Sequence, residues 1–347
     1  MNPSPPFQRA MLMSGGGSRF GYYLGIYAAA LEMEQAPDVI FATCGGAIAA
    51  GLVSAFDSTN EQKQALLSEE MFDMLRRFEW NPNQSLRKSL TSTACRVLSS
   101  RPSRTFPDLS ADALFRIRGE GILFPFKVDY SSKNLSARTL EVAIVGSQLC
   151  FDPHQIGERR AQEPLFKQVI FSNPAISEAM QGAGFQPPSS MIAPTLHLDS
   201  KTSFQDAIHI SLSDIYYLPP YRLNQHQYMG GMLDLVPFEL AAHCCHSLIL
   251  EEKPPFARFT AVPAFKHLLG YDPNQKLDAI PRRAQDVWIN TTDAATQLKH
   301  RQINKRIEWR NRQIALVMPN NYDQYRAMME AQWHYGYQKA LAALSPV

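Results

Sequence analysis

Ala10-Met11-Leu12-Met13-Ser14-Gly15-Gly16-Gly17-Ser18-Arg19-Phe20-Gly21 sets a short apolar run against three consecutive glycines. Helix-favouring residues follow from Tyr22 to Glu34, so the stretch reads as strand, glycine loop, helix. A second unit of the same kind comes next. Asp38-Val39-Ile40-Phe41-Ala42 is β-branched and aromatic, Thr43-Cys44-Gly45-Gly46 interrupts it, and a helical stretch runs from Ala47 to Phe56. A repeated β-loop-α unit predicts an α/β fold with a mainly parallel central sheet covered by helices.

Outward from these units the character changes. From about Asn60 to Gly119 the pattern turns helical, with amphipathic stretches at Glu61–Phe78 and Ser85–Leu98, and residues 60–119 are expected to form a helical insertion or cap. Further strands are expected at Leu123–Asp129, Leu140–Val145 and Leu196–Leu198. A helix is expected from Tyr322 to Leu344, its aromatic face on the sheet, preceded by a basic surface segment between Arg301 and Arg312. No internal repeat or low-complexity run divides the chain, which reads as one domain over residues 1–347.

The composition is that of a globular protein: 45% of the 347 residues are apolar and 19% charged, enough to bury a large core. Thirty-four Lys and Arg against 32 Asp and Glu leave a net charge of +2, which argues against nucleic acid as a partner. Residues 71–105 are locally basic, with seven Arg and Lys against Asp73 and Glu79. Such a stretch is either a solvated face or an attraction to an anionic membrane surface or an acidic carrier protein. The start of the chain lacks a basic segment leading into an apolar run, and the longest apolar stretches are about ten residues, half of what crosses a bilayer. A cytoplasmic location is expected. Cysteines 44, 95, 150, 244 and 245 are odd in number and irregularly spaced, so reduced thiols are expected. His243-Cys244-Cys245-His246 suggests zinc, but adjacent cysteines on a helix diverge by ~100° and no second ligand pair sits at a zinc-finger spacing. No metal or organic cofactor is expected.

Two segments carry chemistry. Ala42-Thr43-Cys44-Gly45-Gly46 lies between a strand and a helix, the setting of a nucleophile elbow G-x-S-x-G, with Ala42 for the first glycine and Cys44 for the serine. Small flanking residues suit the strained turn. Acyl transfer needs N–H donors facing the developing oxyanion, and Gly15, Gly16 and Gly17 at a helix start can aim them with no Cβ in the way. A dinucleotide loop fits less well, because Phe20 stands where the third glycine of G-x-G-x-x-G belongs.

On these segments the chain resembles the patatin-like phospholipase family, which pairs a G-G-G-x-R-G loop with a G-x-S-x-G elbow. The resemblance resumes at 207–220, a segment of small residues ending in Pro219-Pro220. It continues in Tyr228-Met229-Gly230-Gly231-Met232-Leu233-Asp234-Leu235-Val236-Pro237, similar to the family's D-G-G-x-x-D/N-x-x-P. The resemblance implies a lysophospholipase-type three-layer α/β sandwich, lipid acyl hydrolysis, an oxyanion loop at Gly15–Gly17, and Arg19 as a residue that orders that loop or meets an anionic substrate group. It also implies a Ser–Asp dyad, which this sequence lacks.

Cys44 stands at the nucleophile and Met229 at the base. A thiol tolerates loss of the base better than a hydroxyl, since a pKa of ~8.5 leaves a few per cent thiolate near neutrality and a helix N-terminus favours more. The expected activity is hydrolysis of lipid-like acyl esters or thioesters through a Cys44 thioester. One alternative is an acyltransferase passing that acyl group to an amine, alcohol or carrier thiol, with an acyl carrier protein as partner. The other is a catalytically inactive relative that binds an acyl chain or a partner. His209, Asp214 and Asp234 are candidate replacement bases, each with a structural alternative: a solvent-facing histidine, a turn-capping aspartate and a structural aspartate.

Overall fold

A computed structural model describes residues 5–89, 91, 94, 101–130, 133–135 and 138–345. Four parallel strands form one side of a ten-stranded sheet, in the order Val287–Asn290 at the edge, Cys245–Glu252, β1 (Phe7–Met13) and β2 (Val39–Ala42). The long strand Arg138–Leu149 continues the parallel set on β2, then pairs antiparallel with Phe166–Ser172 and His226–Met229. β2 is buried at all four positions, as befits a strand covered on both faces. This is the mainly parallel, helix-flanked α/β architecture that the two β-loop-α units predict.

β1 and β2 lie side by side, Leu12 opposite Phe41 and Met13 opposite Ala42, so both loops leave the sheet at its carboxyl edge. Ligands bind at that edge in open α/β sheets. Helices α1 (Gly21–Glu32) and α2 (Gly45–Ala55) follow the loops. α1 is buried from Gly21 through Ala30 and lies against the C-terminal helix Tyr322–Leu344 as well as the core. A Cβ on Gly25 would overlap the Trp333 carbonyl, and one on Gly336 would overlap the Tyr22 carbonyl, so the two backbones touch. The C-terminal helix has the expected bounds, but it packs chiefly on α1 and less on the sheet.

Two other expectations change. The helix expected over Glu61–Phe78 is two helices, Thr59–Leu66 and Glu69–Arg76, followed by the strand Phe78–Trp80. Ser68 caps the second through the Met71 amide, and Glu69 and Glu70 occupy its first turn, favourable to a helix start. Residues 60–119 thus carry a small antiparallel pair, Phe78–Trp80 with Phe115–Ile117, beside their helices. The helix expected at Ser85–Leu98 falls largely outside the described residues. No strand forms at Leu123–Asp129: Pro125 lacks the amide that a sheet ladder needs, and Leu123 and Phe124 are buried from irregular chain instead. Among the described residues no helix is long and apolar enough to cross a membrane.

The contact of the two helices is testable: Gly336→Ala should lower unfolding free energy by about 1–3 kcal/mol in urea titrations. An unchanged midpoint would contradict the close approach.

Candidate active site

Cys44 stands in the turn between β2 and α2 with φ 51° and ψ −122°, a backbone state that costs a non-glycine residue on the order of 1–3 kcal/mol. The surrounding turn fixes it there. The Thr43 amide donates to the Met13 carbonyl at 3.0 Å, and the Gly46 and Ala47 amides return to Thr43 and Cys44 at 2.9 Å each. The Cys44 amide donates to Ser211 Oγ at 2.9 Å, and that hydroxyl donates on to the Val145 carbonyl at 2.7 Å. A Cβ at Gly46 would overlap the Met13 carbonyl, and one at Gly45 the Gly17 carbonyl, so elbow and glycine loop fit together only as glycine backbone.

The loop brings donors to the sulfur. Amides of Gly17 and Gly45 point at the Cys44 thiol and act to lower its pKa, but burial and the adjacent Asp214 carboxyl outweigh them and hold it well above its ordinary value. Cys44 is therefore a neutral thiol at neutral pH. The expectation of an enriched thiolate at a helix start fails because the sulfur is buried beside a carboxyl group.

Asp214 lies in the turn after the helix Phe204–Leu212, its carboxyl beside the Cys44 thiol. Its Oδ1 is buried and has no hydrogen-bond partner among the described residues. Burial pushes this carboxyl up to about 7, against the lowering effect of the thiol. Gly230 makes the room: its amide donates to the Ser213 carbonyl at 2.7 Å, and a Cβ on it would overlap Asp214 Oδ1. Met229, one residue earlier, is fully buried among Leu149, Leu233 and Phe265 and brings no proton acceptor to the thiol.

The other candidates lie elsewhere. His209 stacks on Tyr221 with ring centroids 4.2 Å apart, and burial lowers its pKa to about 4, so it is neutral. It is neither solvent-facing nor part of the cavity wall above Cys44. Asp234 is buried in an ion pair with Lys276 at 2.7 Å and accepts from Gln168 at 3.4 Å. Arg19 donates through Nε to the Gly16 carbonyl at 3.3 Å and also borders the cavity. In the 243–246 string, Cys244 and Cys245 are buried where a helix meets a strand, and among the described residues no group of His, Cys, Asp and Glu is arranged to hold a metal.

Beneath the loop is a network that sequence reading missed. Glu251 accepts hydrogen bonds from Ser14 Oγ (3.1 Å), Tyr22 (2.8 Å), Tyr23 and Thr291 (2.9 Å), and pairs with Lys253 at 2.7 Å. Lys253 donates in turn to the Ser14 carbonyl at 3.0 Å and to the Gly15 carbonyl. Burial alone would raise the Glu251 pKa, but Lys253 and the hydroxyls bring it below the ordinary value. The one signal in sequence is Glu251-Glu252-Lys253, a charged cluster closing an apolar strand at the sheet edge where sites form.

Above Cys44 opens a cavity of 580 Å³. Gly15–Gly17, Cys44 and Asp214 border it together with apolar walls from Leu75, Phe78, Phe115, Leu235 and Phe256. Its size is that of a small-molecule site.

With this geometry in view, comparison with known proteins is decisive: the patatin-like phospholipase profile matches residues 11–242, from β1 through the elbow to beyond the Gly230-Gly231 turn. The chain belongs to the patatin-like phospholipase family. Patatin-like phospholipase domain-containing proteins from two strains of Pyricularia oryzae are each 45% identical over 58 residues, 17% of this chain. The match spans only 7% of those relatives' own length. Among solved structures, VipD from Legionella pneumophila aligns over 98% of this chain and 67% of its own, with 10% identity and a TM-score of 0.39. The type III effector ExoU aligns over 97% of this chain and 54% of its own, with 11% identity and a TM-score of 0.30. In this patatin-like chain Met229 precedes the Gly230-Gly231 turn without a carboxyl, and the Asp214 carboxyl lies beside the thiol.

Two stability measurements check these electrostatics. Lys253→Ala leaves Glu251 buried without its cation and should cost about 3–5 kcal/mol at neutral pH. Because the folded-state pKa of Glu251 is lowered, its contribution is present above its unfolded value and fades as pH falls through the folded one, so the difference should narrow below about pH 4. Asp214 has the opposite sign. Its folded value is raised, so the fold gains from the protonated form and loses stability as pH rises from about 4, the unfolded value, to about 7. Asp214→Asn should remove that decline in denaturation profiles, and a profile unchanged from wild type would contradict the burial of the carboxyl.

Proposed function

We propose that this protein is a lipid acyl hydrolase that works through a Cys44–Asp214 dyad. The observation that carries the reading is the buried Asp214 carboxyl beside the Cys44 thiol on one cavity wall, raised by burial to about 7. A base with a pKa near the working pH combines availability with the strength to accept a proton.

In the proposed reaction Asp214 takes the thiol proton while the sulfur attacks the acyl carbonyl, forming the C–S bond. The electron pair displaced onto the carbonyl oxygen is met by the Gly17 and Gly45 amides. Collapse of the tetrahedral adduct breaks the ester C–O bond, and Asp214 returns the proton to the departing alcohol. Water then attacks the thioester, giving its proton to Asp214. The C–S bond breaks, the fatty acid leaves and the thiol regains its proton. With a base at hand, water can be activated and the thioester need not accumulate, so hydrolysis is favoured over transfer to another acceptor. The apolar cavity walls suit an acyl chain, and Arg19 at its border suits an anionic group on the substrate.

The test is turnover of p-nitrophenyl acyl esters and acyl thioesters, with intact-mass analysis of the protein during reaction. Wild type should hydrolyse them with kcat/KM rising as pH passes about 7. Cys44→Ala should neither turn over nor acquire acyl mass. Asp214→Asn should lose on the order of 10²–10⁴ in kcat and the rising pH limb. A wild-type protein that neither turns over nor becomes acylated with any ester or thioester would sink the reading, as would full activity in Asp214→Asn.

A further inference from the structure

Strands Asn304–Glu308 and Gln313–Val317 form a two-stranded hairpin outside the main sheet. Lys305 pairs with Leu316 and Ile307 with Ile314, so these four side chains share one face. Lys305 and Leu316 border the cavity over Cys44. Ile307 and Ile314 carry the same face outward to the turn, where Trp309 is 71% exposed. The hairpin thus prolongs one wall of the cavity beyond its mouth.

Exposed apolar groups occur at that mouth and along the hairpin. Among the described residues, large hydrophobic side chains are exposed at Ile122, Ile156, Tyr217, Phe259, Ile307, Trp309 and Val317. Tyr217 borders the cavity, and Phe259 lies between the cavity residues Phe256 and Ala261. Cations surround this apolar rim. The 299–312 segment carries Lys299, Arg301, Lys305, Arg306, Arg310 and Arg312 against Glu308. Arg306 pairs with Glu308, whereas Arg310 and Arg312 are exposed and make no ion pair among the described residues. Exposed Trp and Ile beside uncompensated Arg is the combination that settles at a lipid–water boundary: the ring and alkyl groups enter the headgroup zone and the cations meet anionic lipid.

We propose that the 304–317 hairpin docks this protein on an anionic lipid bilayer, with Trp309 as the inserted residue and Arg310 and Arg312 as the charged contacts, so that the cavity mouth faces the lipid. The purpose of that orientation rests on the acyl-hydrolase reading; the docking itself does not. The base of the hairpin is also joined to the glycine loop. The Ile303 amide donates to Ser18 Oγ at 3.0 Å, and Gln332 Nε2 donates to both the Ser18 carbonyl (3.1 Å) and the Arg301 carbonyl (2.8 Å). A docked hairpin therefore holds the loop and the lipid surface in one frame.

The experiment is sedimentation of the full chain with vesicles of phosphatidylcholine alone or mixed with phosphatidylglycerol, at low and near-physiological salt. Binding should require phosphatidylglycerol and weaken with salt. Arg310→Ser and Arg312→Asn should each weaken it about fivefold. Trp309→Ser should weaken it on the order of tenfold. All three should melt like wild type. Brominated phosphatidylcholine in the mixed vesicles should quench tryptophan fluorescence in wild type and much less in Trp309→Phe. Cys44→Ala should sediment as wild type does, which separates failure of docking from failure of the acyl chemistry. Absence of sedimentation with either vesicle would overturn the proposal. So would binding that the arginine and tryptophan substitutions leave unchanged, or retention by an acidic carrier protein without retention by lipid.

Discussion

A buried carboxylate, Glu251, holds the carboxyl edge of the sheet together. It stands at the end of the strand beside β1 and collects the hydroxyls of Ser14, Tyr22, Tyr23 and Thr291 along with the Lys253 ammonium. Through Lys253 it fixes the carbonyls of Ser14 and Gly15, and through the two tyrosines it ties the first turn of α1 to the same point. A triple-glycine loop has more conformational freedom to lose than any other tripeptide. Here its carbonyls are pinned from below, which leaves its amides turned toward the elbow. A buried charge is costly unless it is paired and hydrogen-bonded, and Glu251 has a partner for each oxygen.

The candidate site keeps position 229 apolar. Met229 lies in an apolar cluster, while the Asp214 carboxyl, from the turn after the neighbouring helix, occupies the space that Gly230 leaves open. Chemistry selects among carboxyl groups by surroundings as well as by distance. Asp234 is just five residues from Met229, yet it faces Lys276. Asp214 faces a thiol and no cation, and is thereby held near neutrality.

Much of this was legible in the residues because its determinants are local. The run 10–34 and the run 38–56 each contain a whole strand–loop–helix unit, and the helix at 322–344 is delimited by its own periodicity. At 123–129 the apolar run suggests a strand, whereas Pro125 in its middle lacks the amide that a ladder needs. What sequence could not rank was His209, Asp214 and Asp234, since the groups that distinguish them are distant: Tyr221 for the first, Cys44 for the second, Lys276 for the third. The Glu251 network escaped notice for the same reason, its members ranging from Ser14 to Thr291.

The meeting of α1 with the C-terminal helix bears on the order in which the molecule can be built. β1 is an inner strand whose partner on one side is Cys245–Glu252, and α1 touches backbone to backbone a helix that begins at Tyr322. A ribosome therefore exposes the glycine loop and elbow early, but the strand and helix that enclose them are synthesised more than two hundred residues later. Contacts so distant in sequence fold slowly and leave apolar edges uncovered meanwhile. The nascent N-terminal third, with its bare strands and reactive thiol, has to wait for the rest of the chain before its cysteine is sequestered.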